Sequence, residues 1–146
     1  MLGPSRLAYP DDHIEVDNRL AWLLGRLDVE YGTEAAYVHL RRDPDAAAMS
    51  HAARIEFGIM AAYREAIIWR VPATVEPIEI ARDYLLTVGR NIELFLRDKP
   101  KRLDFSLENA SADFERFWRF IGAVGDYEAA LAEFDVRHNA RAPGEP

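Results

Sequence analysis

The chain contains no cysteine, which excludes disulfides, thiolate metal sites and cysteine nucleophiles together. Lysine is nearly absent: Lys99 and Lys101 stand against 16 arginines. No G-x-x-x-x-G-K-[ST] phosphate loop occurs, and Leu2-Gly3-Pro4-Ser5-Arg6 offers one glycine with no helix pattern behind it. No apolar run approaches the ~18 residues of a membrane helix. The first residues also lack the apolar stretch of a signal peptide, so a cytoplasmic location is expected. His13, His39, His51 and His138 show no ligand spacing such as H-x3-H, so no metal is expected. A net charge of −7 with no basic face argues against nucleic acid as a partner.

What is present is an ordinary globular composition. At 146 residues, 49% apolar and 29% charged, the chain is long enough to bury one core. Residues 1–12 carry Gly3, Pro4, Pro10 and Asp11-Asp12 and read as irregular. His13–Val16 is a short strand candidate. Asp17 or Asn18 then caps a helix with Leu20, Leu23, Leu24, Leu27 and Tyr31 on one face, stopped by Gly32. Ala35–Leu40 is a short apolar run expected to be a buried parallel strand. The helix beginning at Pro44 is expected to reach about Ile55, and a second, Gly58–Arg70, to follow with Ile59, Tyr63, Ile67 and Trp69. Pro77–Asp98 is the longest helix, with the stripe Ile80, Tyr84, Val88, Ile92 and Phe95. Leu103, Phe105 and Leu107 alternate as a strand does. Ser111 is the expected cap of a helix carrying Phe114, Phe117, Trp118 and Ile121, read as core and ended by Gly122. A short helix spans Asp126–Phe134, and residues 135–146 read as a polar, mobile tail. The expected class is therefore α/β, helix-rich, with a small parallel sheet flanked by helices.

The segment with the most chemistry in it runs from Ala35 to Ser50. Arg42 closes a strand, Asp43 can cap the next helix, and Pro44 suits its first position. Such a junction gathers free N–H groups and the positive helix end, which favours an anion. Arg42 adds a planar fork matched to phosphate and Ser50 a hydroxyl. The alternative is a surface arginine and a serine used in helix packing. Arg41 points to the opposite strand face. His51 follows Ser50 and is a candidate for the same pocket, whereas His39 reads as a hydrogen-bonded core histidine.

Arg-Asp-Pro at a strand end, with Arg42 and Ser50 eight residues apart, resembles the nucleotide 3′-phosphate loop of the PAPS-dependent sulfotransferases (PAPS is 3′-phosphoadenosine 5′-phosphosulfate). His13-Ile14-Glu15-Val16-Asp17 is similar to the Glu-Lys-Ser/Thr strand end of that family, with Val16 at the Lys position. Arg102–Asn109 followed by Phe114–Gly122 resembles its late strand, helix and Phe-Ile/Leu-Gly ending. The likeness spans roughly residues 13–139, and it implies an incomplete P-loop-type fold over residues 13–134. It further implies PAPS as sulfuryl donor, Arg42 and Ser50 as cofactor-binding residues, and Glu15 or His13 as the base acting on a small-molecule hydroxyl or amine. Pairing of Glu15 with Arg19 or Arg41 is the structural alternative. Arg137-His138-Asn139 matches the family's late basic segment in position. The Gly-rich 5′-phosphosulfate loop and its lysine have no counterpart within these residues. The expectation is a fragment or shortened relative that is weak or inactive alone, and an uncovered sheet edge that favours a homo-oligomer. A non-catalytic nucleotide-binding or assembly module that pairs with another chain is the other reading.

Overall fold

The computed structural model describes residues 3–136. Arg137-His138-Asn139 and the rest of the tail lie outside the described residues. The helices are α1 (Leu24–Tyr31), α2 (Pro44–Ala52), α3 (Gly58–Ala62), α4 (Pro77–Leu96), α5 (Ala110–Phe120) and α6 (Tyr127–Ala132). The strands are β1 (Tyr37–Arg41) and β2 (Arg102–Ser106), hydrogen-bonded as one two-stranded sheet. The Tyr37 N–H donates to the Lys101 carbonyl at 2.9 Å, so both strands start at the same end and run parallel. The chain is thus helix-rich α/β with a small parallel sheet. It divides into two units, residues 3–37 with 42–102, and residues 38–41 with 103–136.

The first unit is built on α2 and α4. Ala48 of α2 and Ala81 of α4 are fully buried, and methyl-sized side chains let two helices approach closely. Met60, Tyr63, Ile80 and Tyr84 complete the cluster. Tyr63 and Tyr84 meet edge to face at 5.2 Å. The Tyr63 hydroxyl donates to Asp83 Oδ2 at 2.5 Å, so its one polar atom is satisfied. α4 starts where its sequence directs. Pro77 takes the first turn, and Glu76 and Glu79 form a reciprocal capping box.

The second unit gathers aromatic rings over one sheet face. Leu103 and Phe105 of β2 are buried, and Phe105 packs edge-on against Phe117 of α5 at 6.2 Å. Phe114 stacks on Tyr127, and Trp118 meets Tyr127 edge-on at 5.5 Å, joining α5 to α6. Gly122, at φ 65°, ends α5 in a left-handed turn, as the sequence signals. On β1 the residues of the same parity, Val38 and Leu40, are 39% and 56% exposed. That face is covered at β2 and open at β1.

Several boundaries differ from the sequence expectation. His13–Val16 is extended but joins no ladder, so the sheet has two strands among the described residues, not three. Ile14 and Val16 alternate as a strand's residues do, yet both are exposed and no neighbouring edge pairs with them. The helix expected from Asn18 begins as a 3-10 turn (Asn18–Trp22) and becomes α-helical only at Leu24. Asp17 caps it by accepting from the Arg19 N–H two residues on, which favours tight closure of the first turn. α2 stops at Ala52 rather than Ile55. Gly58 takes φ 55° before α3, which passes into one π turn (Tyr63–Ile67) and ends before Trp69. Trp69 and Arg70 then adopt positive φ and Trp69 is exposed, so it is not part of a helix face. Ser111 is not a cap: a 3-10 turn (Leu107–Asn109) leads into α5, and Asp113 closes that junction instead.

Candidate anion site and its neighbours

The β1–α2 turn is organised by Asp43. Its carboxylate accepts from the Ala46 N–H at 2.8 Å, and Pro44 occupies the first helical turn without wasting a donor. Arg42 stands just before this cap, exposed, with no ion pair or side-chain hydrogen bond among the described residues. Ser50 lies on α2, half-buried. The positions three and four residues before it are Ala47 and Ala46, which share its helix face. The position seven residues before it on the same face is Asp43, the cap. Arg42 and the Ser50 hydroxyl thus flank the first two turns of α2 without touching each other.

The other basic and histidine candidates near this turn are engaged elsewhere. Arg41 lies 4.0 Å from Asp104 on β2, and His39 Nδ1 lies 3.4 Å from the same carboxylate. His39 is thus a mostly buried, carboxylate-paired histidine. The His51 Nδ1 contacts the Ala47 carbonyl at 3.0 Å and its ring packs on Tyr84 at 5.3 Å. It faces the core instead of opening beside Ser50.

The two candidate bases meet each other. His13 Nε2 and Glu15 Oε2 are 3.1 Å apart, each side chain about one-third exposed. Glu15 therefore pairs with His13, and not with Arg19 or Arg41. Arg19 is held by Asp17 at 2.7 Å. Hydrogen bonds from the Arg19 side chain and backbone keep the Asp17 carboxyl below the usual carboxylate range.

Sequence reading passed over the residues that surround Glu15. Residues 3–10 looked irregular, but Tyr31 ties them to α1. Its hydroxyl donates to the Leu7 carbonyl and accepts from the Tyr9 N–H at 3.1 Å. The Tyr9 ring then stacks on His13 at 5.1 Å and on Tyr31 at 6.1 Å. The outcome is an open cleft of about 390 Å3 lined by Arg6, Tyr9, Glu15, Asp17, Arg19, Leu20 and Leu23. Burial, helped by the nearby Glu15 charge, pushes the Tyr9 phenol up from its ordinary value. The only sequence signal for this cleft was Tyr31, a hydroxyl at the end of an otherwise aliphatic stripe.

No family model, curated protein or solved structure matches the chain. Among the described residues, no helix is long and apolar enough to cross a membrane.

Proposed function

We propose that this chain is sulfotransferase-like and binds the 3′-phosphate of PAPS through Arg42, Ser50 and the N-terminus of α2. The observation that carries the reading is Arg42: an exposed guanidinium, unpaired among the described residues, set at a capped strand-to-helix turn. A cation without an ion-pair partner among the described residues, beside the positive end of a helix, suits a dianionic phosphate. PAPS would supply an activated sulfuryl group. In the transfer, the acceptor hydroxyl or amine forms a bond to sulfur as the sulfur–oxygen bond to the nucleotide phosphate breaks. Glu15 or His13 takes the acceptor proton, and adenosine 3′,5′-bisphosphate leaves with the electron pair. Charge develops on the sulfuryl oxygens, and residues 1–146 present no Gly-rich loop or lysine for it. Transfer is therefore expected only when such a loop is supplied, within a P-loop-type fold.

Calorimetry with adenosine 3′,5′-bisphosphate tests the phosphate site. Arg42→Ala removes a charge-assisted contact worth about 1.5–3 kcal/mol, so affinity falls by about one to two decades. Equal affinity in the variant, or no binding by folded wild type, removes the proposal.

A second reading rests on the open part of the sheet. Val38 and Leu40 are exposed on a strand paired on one side only. A non-catalytic module that binds a nucleotide and joins another chain through β1 would cover them. A sulfate-transfer assay with the Gly-rich loop supplied separates the readings, because only the sulfotransferase-like chain gains activity, whereas the assembly module binds nucleotide and stays inactive.

A further inference from the structure

The cleft beside Glu15 contains an unequal set of charges. Arg19 is taken by Asp17, and one oxygen of Glu15 is taken by His13. Arg6 is exposed and forms no ion pair or side-chain hydrogen bond among the described residues. The Tyr9 hydroxyl also has no hydrogen-bond partner among them. One lining cation, whose charge reaches Asp17 and Tyr9 without a hydrogen bond to either, and one phenolic donor therefore share the cleft with Glu15, which keeps one oxygen clear of His13.

Two short stretches of structure fix these groups in place. The Arg26 guanidinium donates to the Gly3 carbonyl at 2.7 Å and holds the 3-10 turn Pro4–Leu7 that carries Arg6. Tyr9 is clasped between the His13 and Tyr31 rings, so its hydroxyl is aimed by ring packing rather than by a bond of its own. Leu20 and Leu23 supply the apolar part of the lining. The volume falls within the roughly 300–1,000 Å3 of small-molecule sites.

We infer that this cleft binds the acceptor, and that the acceptor is a polyhydroxylated carboxylate of sugar-acid type. Its carboxylate pairs with Arg6, one hydroxyl accepts from Tyr9, and another hydroxyl donates to Glu15. The predominantly polar lining selects a hydroxyl-rich body over an aromatic one. A carboxylate on Arg6 is a charge-assisted, fork-matched contact, and a neutral sugar lacks it. The inference deepens the sulfuryl-transfer reading, on which the choice of Glu15 as the acceptor's neighbour rests.

The test titrates the full chain with methyl β-D-glucuronide, methyl β-D-glucoside and 4-hydroxybenzoate, without nucleotide, using calorimetry or NMR shifts. Wild type is expected to bind the glucuronide at least tenfold more tightly than the glucoside. Arg6→Gln is expected to erase that preference while leaving the thermal melt unchanged, and Tyr9→Phe to weaken both sugars. The inference is overturned by equal binding of the two sugars, by a preference that survives Arg6→Gln, by tighter binding of 4-hydroxybenzoate, or by no saturable binding in a folded chain. Adenosine 3′,5′-bisphosphate titrated in parallel separates the two ideas. Nucleotide binding without sugar-acid binding sinks this inference alone, and the reverse sinks the phosphate site alone.

Discussion

Each of the two strands runs into a helix, and the two junctions are finished in different ways. After β2, Asp113 reaches back from α5. It accepts from the Ser106 N–H at 2.7 Å, from Arg116 at 2.9 Å and from Asn109 at 3.4 Å. A carboxylate of the chain itself stands at the electropositive end of that helix, as Asp43 does at α2, and here Arg116 is bonded to the carboxylate. After β1, Asp43 caps α2 from the near side, and Arg42 forms no ion pair among the described residues. Both helix starts thus hold a carboxylate, and the difference lies in the arginine: Arg116 is bonded to Asp113, while Arg42 has no ion pair among the described residues.

The largest way to break the comparison is to loosen α2 itself. The anion site proposed at its N-terminus requires the helix to be fixed against α4. Met60 is buried in the cluster that fixes it. Met60→Ala removes a fully buried side chain and is expected to cost about 2–5 kcal/mol of stability, with adenosine 3′,5′-bisphosphate binding weakened in parallel. Urea denaturation with a binding titration on the same samples checks this. Unchanged nucleotide affinity in a clearly destabilised variant would show that binding does not depend on the α2–α4 packing.

Within the site, Ser50→Ala sharpens the contrast. A single neutral hydroxyl contributes less than the guanidinium, about 0.5–1.5 kcal/mol, so affinity for the bisphosphate should fall by about two- to tenfold with no change in melting temperature. Adenosine 5′-phosphate, which has no 3′-phosphate, should not distinguish Ser50→Ala from wild type. A loss of equal size for both nucleotides would place Ser50 away from the 3′-phosphate.

These junctions also show what a single sequence makes legible. Asp43-Pro44 was readable as a helix start because cap and proline act through their immediate neighbours. So was the parallel pairing of two short apolar runs. The Asp113 junction was not, because the cap comes from four residues inside the 3-10-to-α5 region and Ser111 stood in the conventional place. His13–Val16 had the alternation of a strand, but pairing is a property of the neighbouring edge, which the segment's own residues do not encode. The cleft at Arg6 and Tyr9 was invisible for the same reason. It depends on Tyr31 reaching residues more than twenty positions earlier, and no local pattern reports such a contact.

The β2 junction predicts its own pH response. Hydrogen bonds, first from the Ser106 backbone and also from Arg116, hold the Asp113 carboxyl below the usual carboxylate range. A group depressed in the folded state stabilises the fold above its unfolded value and loses that contribution as pH falls through the folded one. Stability should therefore decline on acidification from about pH 4 downward. Asp113→Asn should be less stable than wild type at pH 7 and approach it at low pH. Urea midpoints measured across this range decide it, and a constant gap between the two proteins would show that the ionised carboxylate contributes nothing specific there.

The smallest effect belongs to Asp43 and carries the sharpest information about its junction. The Asp43 carboxylate satisfies the Ala46 N–H, and it also places a negative charge where a phosphate is proposed to sit. Capping requires only an oxygen acceptor, which serine also supplies. Asp43→Ser therefore retains the cap and removes the charge. Stability should change by a few tenths of a kcal/mol, while binding of adenosine 3′,5′-bisphosphate should tighten by roughly 0.3–1 kcal/mol, or about two- to fivefold, at low ionic strength. The gain should fade in 0.5 M salt as the exposed charge is screened. Weaker binding in Asp43→Ser would mean that the carboxylate orients Arg42 instead of competing with the phosphate, and the open junction would then be a pair, Arg42 with Asp43, built to act together.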